Sequence, residues 1–558
     1  MKEYHFYKSI GDNSSGWKSK LLYSLSHFLF PSLSFFFLIF HLFQLSIIMK
    51  MILLFGAGKS ATVLIDYLLE NAISENWKLL VVDADLKLAQ SKIGGSQRAT
   101  AVSFDIKNNM ERAKYIRQAD IVISLLPPFL HIEVAKDCVI HQKNLLTASY
   151  VDEDIKKLQS DIEKNKLLFL CEMGLDPGID HMSAMKLIDD IHAAGGTITS
   201  FQSHCGGLVA PESDDNPWHY KISWNPRNII MAGKAGAHFR ENGVEKRIAY
   251  EDLFTADRLV EIPEIGFLSW YPNRDSLSYS TLYGIENAPT FLRSTLRHPD
   301  FMYGWKNIIE LKLIDETPQY ETTGKTLQEA FKEHMDKNGF GEWLNDKLTE
   351  RFAETKSMME NLLKLMEAKN EAEEEGEEIP GSFMAADDQG NLEEVEIDVV
   401  KNKAAAYLAH KMHEANLTLK QLFFLGLDDQ DTMVNKGFCS PADILQFAVE
   451  KKLALRPYDK DMVVMLHEIA YTVNGQQSTV HSSLVVKGEN SLRTAMAKTV
   501  GLPLGIAAKH ILNGKIKLTG LHIPTSKEIY VPVLEELEKY EVKFKEERKE
   551  STQRNREA

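Results

Sequence analysis

The feature that most restricts the fold is an alternation running from Met51 to Gly174, in which short apolar runs exchange places with segments of helical spacing. The apolar runs are "MILLFGAG", "KLLVVDAD", "ATAVSFD", "ADIVISLLPP", "NLLTASY" and "KLLFLCEMG", and "SATVLIDYLLENA" is the first helical stretch. Strands this apolar are buried on both faces, and strands separated by helical crossovers pair in parallel. The expectation is an α/β chain with a Rossmann-type, doubly wound parallel sheet.

The first strand-to-helix junction carries a glycine turn. Gly56, Gly58 and Ala61 make GxGxxA, with Lys59 and Ser60 between the second glycine and the alanine. The first glycine permits the tight turn, the second lets backbone approach a pyrophosphate, and the small third residue allows close packing of helix on strand. The helix N-terminus adds free N–H donors and partial positive charge. Asp83, followed by Ala84 and Asp85, ends the second strand, where a carboxylate accepts from a ribose 2′-hydroxyl and repels a 2′-phosphate. NAD is therefore expected over NADP. The plainer reading of Asp83 is a cap for the next helix.

At 558 residues the chain exceeds one ordinary core. A domain over 49–176 should bind the dinucleotide; 177–324 with 455–524 should form a second, mixed α/β substrate domain. Residues 325–454 read as a helical insert domain of long amphipathic helices around an acidic linker, 367–381. The last helix, about 525–545, could lean back on the first domain. The net charge of −15 supplies no basic face, so the expected partner is a small molecule and not a nucleic acid. Cys138, Cys171, Cys205 and Cys439 are too scattered for a disulfide framework or zinc site, which suggests a reducing, cytoplasmic setting. No charged side chain lies between Lys20 and Lys50, and "SLSFFFLIFHLFQLSII" is long enough to cross roughly 30 Å of hydrocarbon. His27, Pro31 and His41 interrupt the run, however, and a strand follows it at once. Residues 1–48 are accordingly read as an extension outside the folded protein, with no stable membrane association.

"GLDPGIDH" (174–181), "HCGGLVAPESDDNPWHYKISWNPRN" (204–228), "YPNRDS" (271–276), "TLRHPDF" (295–301) and "AMAKTVGLPLGIAAK" (495–509) make the sequence resemble the L-glutamate-forming saccharopine dehydrogenases, or saccharopine reductases. The likeness runs from residue 50 to about 545 and implies oxidative cleavage of saccharopine to glutamate and 2-aminoadipate 6-semialdehyde, or the reverse condensation. It places cofactor contacts on Gly58 to Ala61, on Asp83, Ala84 and Asp85, on Asp105 with Ile106, on Leu126, and on Asn225 from the second domain. Substrate contacts fall on Ser149, Tyr150, Asp176, Arg274, Thr295, Leu296 and Arg297. NADP-using members carry an arginine where this chain has "DAD" at 83–85. A homodimer is the assembly the resemblance suggests.

The residue types suit such a substrate. Saccharopine has three carboxylates and two amines; Arg274 and Arg297 could each grip a carboxylate through paired N–H bonds. Asp176, before Pro177 at a helix start, could cap the helix as well as bind. Proton transfer requires a group that titrates near neutrality. His181 is the first candidate, Asp176 the second, and water the third. The alternatives are a related polyamine or carboxynorspermidine-type dehydrogenase, which gives no reason for the two arginines, and a non-catalytic nucleotide sensor. No metal site is expected: His410, His413 and Glu414 lack HExxH order, and Asp428 to Asp431 lack calcium-loop spacing. Cys205 reads as a small buried residue and not as a nucleophile.

Overall fold

The computed structural model describes residues 49–347, 349, 356, 382–386, 392–396 and 416–550. The extension 1–48, the acidic stretch 367–381, and His410, His413 and Glu414 lie outside the described residues.

The first sheet follows from the alternation. Strands β1 (Lys50–Phe55), β2 (Trp77–Val82), β3 (Ala99–Val102), β4 (Ile121–Ser124), β5 (Asn144–Thr147) and β6 (Leu168–Leu170) all pair in parallel. Their order is β6-β5-β4-β1-β2-β3, with Gly520–His522 added in parallel beside β6. The order reverses between β1 and β4. That switch point is where the carboxyl ends of a parallel sheet open a crevice. Helices α1 (Ala61–Glu70) and α2 (Leu86–Ile93) follow β1 and β2.

A helix, α3 (Ile179–Ala193), leads into the second sheet, whose long strand β7 (Thr197–Val209) is "TITSFQSHCGGLV". Strand β8 (Thr290–Arg297) lies parallel to β7 with Thr295 opposite Cys205, and β9 (Asp461–Val473) lies antiparallel on its other side. Asn474 and Gly475, with φ of 51° and 81°, turn β9 into β10 (Gln476–Lys487). Two successive left-handed residues of this kind make the tight turn whose twist suits a hairpin. Period-two alternation sends Arg293, Thr295 and Arg297 to one face of β8, with Phe291 and Cys205. Leu296 goes to the opposite face, among Leu208, Val464 and Leu466.

The chain departs from the expected boundaries in three places. Residues 455–524 divide between the sheets: β9 and β10 join the second, while Gly520–His522 joins the first. Helix α4 (Ala495–Leu512) lies across α1, because a Cβ on Gly501 would stand 2.8 Å from the Leu64 backbone nitrogen and one on Gly505 would stand 2.5 Å from the Tyr67 ring. The glycines of "AMAKTVGLPLGIAAK" thus make the seam between the dinucleotide domain and the rest. Asp461, at the start of β9, accepts the Ala495 and Met496 N–H groups at 2.6 and 3.0 Å and so fixes where that helix begins. The terminal helix stops at Leu537, and Glu541 turns left-handed at φ 62°. The following "KEERKE" then becomes an edge strand beside β10 instead of more helix. Within the region read as a helical domain around an acidic linker, Ser382–Ala386 and Leu392–Glu396 pair as a hairpin.

Among the described residues no helix is long and apolar enough to cross a membrane. Replacing Gly501 with Ala should force α1 and α4 apart and cost about 1–3 kcal/mol. An unchanged urea midpoint in Gly501→Ala would count against a backbone-to-backbone seam.

Candidate active site

The glycine turn sits at the switch point. Gly56 has φ 97°, and a Cβ there would meet the Leu125 carbonyl oxygen at 2.7 Å, so only glycine joins β1 to α1 against the end of β4. A Cβ on Gly58 would meet nothing within 4 Å, which leaves space for a ligand to approach the backbone. Ser60, the N-cap of α1, makes no side-chain capping bond, so the first N–H groups of α1 have no side-chain cap there. These features fit a dinucleotide pyrophosphate.

Asp83 does not cap a helix. Its Oδ2 accepts the Ala57 N–H at 2.7 Å and its Oδ1 the Asp85 N–H at 2.9 Å, binding the glycine turn to the end of β2. Asp85 is the cap of α2, accepting from Lys87 and Leu88. Ala84 and Asp105 are exposed, Ile106 and Leu126 are half-buried, and Asn225 is an exposed cap on Pro226–Ile230. Lys59 extends from the turn so that its Nζ donates to the Ile222 carbonyl at 3.4 Å, linking the first domain to the second.

At the ends of β4 and β5, His131 holds Ser124 through Nδ1 and Ser149 through Nε2, each at 2.8 Å. Burial pushes the imidazole down to about 4, with Asp152 acting weakly against it. His131 is a functional neighbour that the sequence reading missed. Its only signal was a histidine shortly after the strand end "ISLLPP".

Beyond Ser149 lies a buried polar cluster shared by both domains. Arg293 Nη2 donates to Asp176 Oδ1 at 2.7 Å and to Asp180 Oδ2 at 2.6 Å, and its guanidinium lies 4.3 Å over the Tyr279 ring. Tyr150 donates to Asp176 at 3.2 Å. Burial raises the Asp176 carboxyl, with Arg293 opposing. At Asp180 burial also disfavours charge, but His181 and Arg293 outweigh it and hold that carboxyl low. Two carboxylates beside one guanidinium are therefore shifted in opposite directions, Asp176 up and Asp180 down. Gly178, not Asp176, is the N-cap of α3, so the capping reading of Asp176 gives way to this ion pair.

His181 is displaced from its expected part. It is fully buried, with Nε2 on Glu172 at 2.9 Å and Nδ1 on the Tyr283 hydroxyl at 2.5 Å. Both nitrogens are occupied behind the cleft, so it positions Glu172 and the tyrosines and has no nitrogen left for a substrate. Arg293 and Glu172 were missed as well. Arg293 was open to detection, since it shares the alternation of Thr295 and Arg297.

The two arginines singled out from the sequence differ. Arg297 is 4% exposed, packed over Tyr220 and Phe301; its Nη1 donates to the Leu296 carbonyl, and its Nε has no partner among the described residues. A buried guanidinium with an unmet donor can receive an anion. Arg274 is exposed, left-handed at φ 46°, and rests 5.0 Å over the Tyr150 ring. Thr295 is half-buried between Arg293 and Arg297 on β8, whereas the Leu296 side chain faces the other way and can offer only backbone. Cys205 is buried opposite Thr295, and burial holds its thiol well above the usual range. Asp429, in "DDQD", accepts from Asp431, Thr432 and Lys452 and staples its own loop.

A family model described as the saccharopine dehydrogenase NADP binding domain matches residues 52–170, and one described as the saccharopine dehydrogenase C-terminal domain matches 174–542. The chain belongs to the saccharopine dehydrogenase family. It is 31% identical to a Saccharomyces cerevisiae protein named saccharopine dehydrogenase [NADP(+), L-glutamate-forming], covering 89% of this chain and 99% of that one. The Schizosaccharomyces pombe protein of the same name is 30% identical with the same coverage. An alpha-aminoadipic semialdehyde synthase of Arabidopsis thaliana is 31% identical, and this chain spans only 44% of its length. The apo structure of the L-Glu-forming enzyme from Saccharomyces cerevisiae superposes with a TM-score of 0.69 at 28% identity, covering 90% of this chain and all of that one.

His131 also predicts a response to acid. Its folded pKa lies below the unfolded 6.5, so the unfolded chain binds more protons between pH 6.5 and 4, and stability falls as pH drops through that window. The loss from pH 7 to 5 should be on the order of 2 kcal/mol for this group. His131→Asn should show a smaller fall in urea midpoint between those two pH values, and an equal fall would refute the assignment.

Proposed function

We propose that this chain is an L-glutamate-forming saccharopine dehydrogenase, which cleaves saccharopine oxidatively to glutamate and 2-aminoadipate 6-semialdehyde or condenses them in reverse. The observation that carries the reading is Arg297, a buried guanidinium with an unmatched donor. It lies on the same strand face as Arg293 and packs on Tyr220, two residues from the Ile222 carbonyl that Lys59 of the glycine turn contacts. A tricarboxylic substrate would satisfy that donor at the mouth of the dinucleotide crevice.

The bound nicotinamide dinucleotide supplies the hydride acceptor. Its pyrophosphate would rest on Gly58, Lys59, Ser60 and Ala61. Arg297 grips one substrate carboxylate, and exposed Arg274, steadied on Tyr150, meets another. Ser149, fixed by neutral His131, and the Thr295 hydroxyl offer hydrogen bonds to the polar groups between them. Loss of hydride from the carbon beside the secondary amine, together with the amine proton, leaves an imine; water then adds, and the C–N bond breaks to give amine and aldehyde. Asp176 is the group suited to carry protons, because burial has raised it and Tyr150 and Arg293 aim it. Holding the reacting groups in place can contribute several kcal/mol (roughly 7–11 at the limit).

The cofactor preferred is NAD. Asp83 is locked by the Ala57 and Asp85 N–H groups with the Asp85 carboxylate beside it, so a 2′-phosphate there would face two negative charges. Like unit charges about 4 Å apart repel by roughly 1–4 kcal/mol, according to how much water separates them. The NADP(+) in the fungal relatives' names describes those proteins.

A spectrophotometric assay with saccharopine should give reduced cofactor with kcat/KM for NAD at least about tenfold above that for NADP. No turnover with either would overturn the activity, whereas turnover preferring NADP would overturn the cofactor preference alone. Arg297→Met should lower kcat/KM about 10²-fold, as expected from losing a charge-assisted pair, mainly through KM. Asp176→Asn should instead lower kcat and remove the acidic limb of its pH profile, and an unaltered profile would reassign the proton carrier to water.

A further inference from the structure

Away from the glycine turn, the loop 211–220 meets the start of the helix Pro299–Glu310. Two histidines and two aspartates gather at this meeting point, and none of them enters the chemistry above. One ring nitrogen of His219, one of His298 and a carboxylate oxygen of Asp300 all lie within 4.8 Å of one another. The imidazoles of His219 and His298 are stacked, 3.9 Å between centroids. His219 takes φ 47°, a left-handed conformation in which histidine, like asparagine and aspartate, is enriched.

We propose that His219, His298 and Asp300 form a binding site for a divalent first-row transition ion of the zinc class, with Asp214 as the carboxylate that orients His219 from behind.

Three observations converge on it. First, His219 Nε2 and Asp300 Oδ2 are 3.3 Å apart, long for a charge-assisted hydrogen bond, which ordinarily spans about 2.7–2.9 Å. Two ligand atoms each about 2.0–2.1 Å from one tetrahedral ion stand roughly 3.3–3.4 Å apart. Second, His219 Nδ1 is taken by Asp214 Oδ2 at 2.5 Å, which fixes the ring so that Nε2 faces Asp300. A carboxylate behind a histidine is the usual support of a metal-binding imidazole, since it sets the tautomer and raises ligand basicity. Third, the site is neither sealed nor open: the His219 side chain is 32% exposed and that of Asp300 11%, so an ion can enter and retain water. Two imidazoles and one carboxylate favour zinc, cobalt or nickel over magnesium or calcium, which prefer all-oxygen sets. Binding exchanges the proton between His219 and Asp300 for the ion, and the proton leaves to solvent. His298 directly follows Arg297, so a bound dication would add positive charge beside the guanidinium assigned to a substrate carboxylate. The site itself does not rest on that assignment.

Isothermal titration of the full chain with zinc chloride should show one saturable equivalent of micromolar or tighter affinity that excess magnesium does not displace. His219→Gln and His298→Gln should each weaken it at least tenfold, whereas His192→Gln, a change at an exposed histidine of α3, should leave it unaltered. Should the cluster variants fail to fold by circular dichroism, cobalt decides in the native chain. One equivalent giving the intense visible absorption of a tetrahedral or five-coordinate histidine-ligated ion supports the site. The faint absorption of hydrated cobalt overturns it, as does an absence of stoichiometric zinc binding or retention of full affinity in both folded variants. The readout is binding, so it stands apart from any failure of the saccharopine assay.

Discussion

The cleft is organised around the buried guanidinium of Arg293, which bridges Asp176 and Asp180 from a strand of the second sheet. Both carboxylates come from the segment that leaves the first sheet, so the pair joins the domains where the crevice must keep its shape. Removing the arginine would take the guanidinium from both carboxylates and leave only the Tyr150 hydroxyl on Asp176 and the Gly178 N–H and His181 beside Asp180; breaking a buried pair in this way costs up to about 3–5 kcal/mol. The same bridge lets the two acids differ, Asp176 raised by burial and Asp180 held low by His181 and Arg293. A single ion-pair triad thereby supplies both architecture and chemistry.

Around it the polar groups fall into two shells. Those behind, His181, Glu172, Tyr279 and Tyr283, satisfy one another: His181 and Tyr279 both reach Glu172, whose Oε1 also accepts the Val151 N–H at 3.1 Å. A network so fully paired is rigid and has little left to offer a ligand. Those in front, Arg297 above all, are not fully paired. The difference between spent and unspent hydrogen-bonding capacity separates support from site more clearly than residue type does. It also explains why a histidine next to the "DPG" turn belongs to the scaffold.

Much of the arrangement could be read in the amino-acid order. The parallel sheet and its glycine turn follow from apolar runs too continuous for a half-exposed strand and from glycines at a strand-to-helix junction. Tyr150 and Asp176 were singled out and do meet, at 3.2 Å, whereas Arg297, also singled out, packs on Tyr220 and Phe301 further along the strand face that carries Arg293. Arg293 was passed over although it shares the alternation of Thr295 and Arg297, because its partners Asp176 and Asp180 lie more than a hundred residues away in the chain. Leu296 was included with its neighbours, yet strand alternation sends its side chain to the other face. His131 and Glu172 left almost no signal, since each acts through residues distant in the chain.

By itself the sequence determined the class of the first domain, the place of its nucleotide turn and the strands that would carry cationic side chains, because these depend on local spacing and on the backbone freedom of particular residues. Only the tertiary structure decided that Asp85 caps the helix while Asp83 ties the turn, that Gly501 and Gly505 form the seam with α1, and which polar groups remain unpaired. Pairing depends on what the rest of the fold brings within about 3 Å. No local pattern encodes that distance.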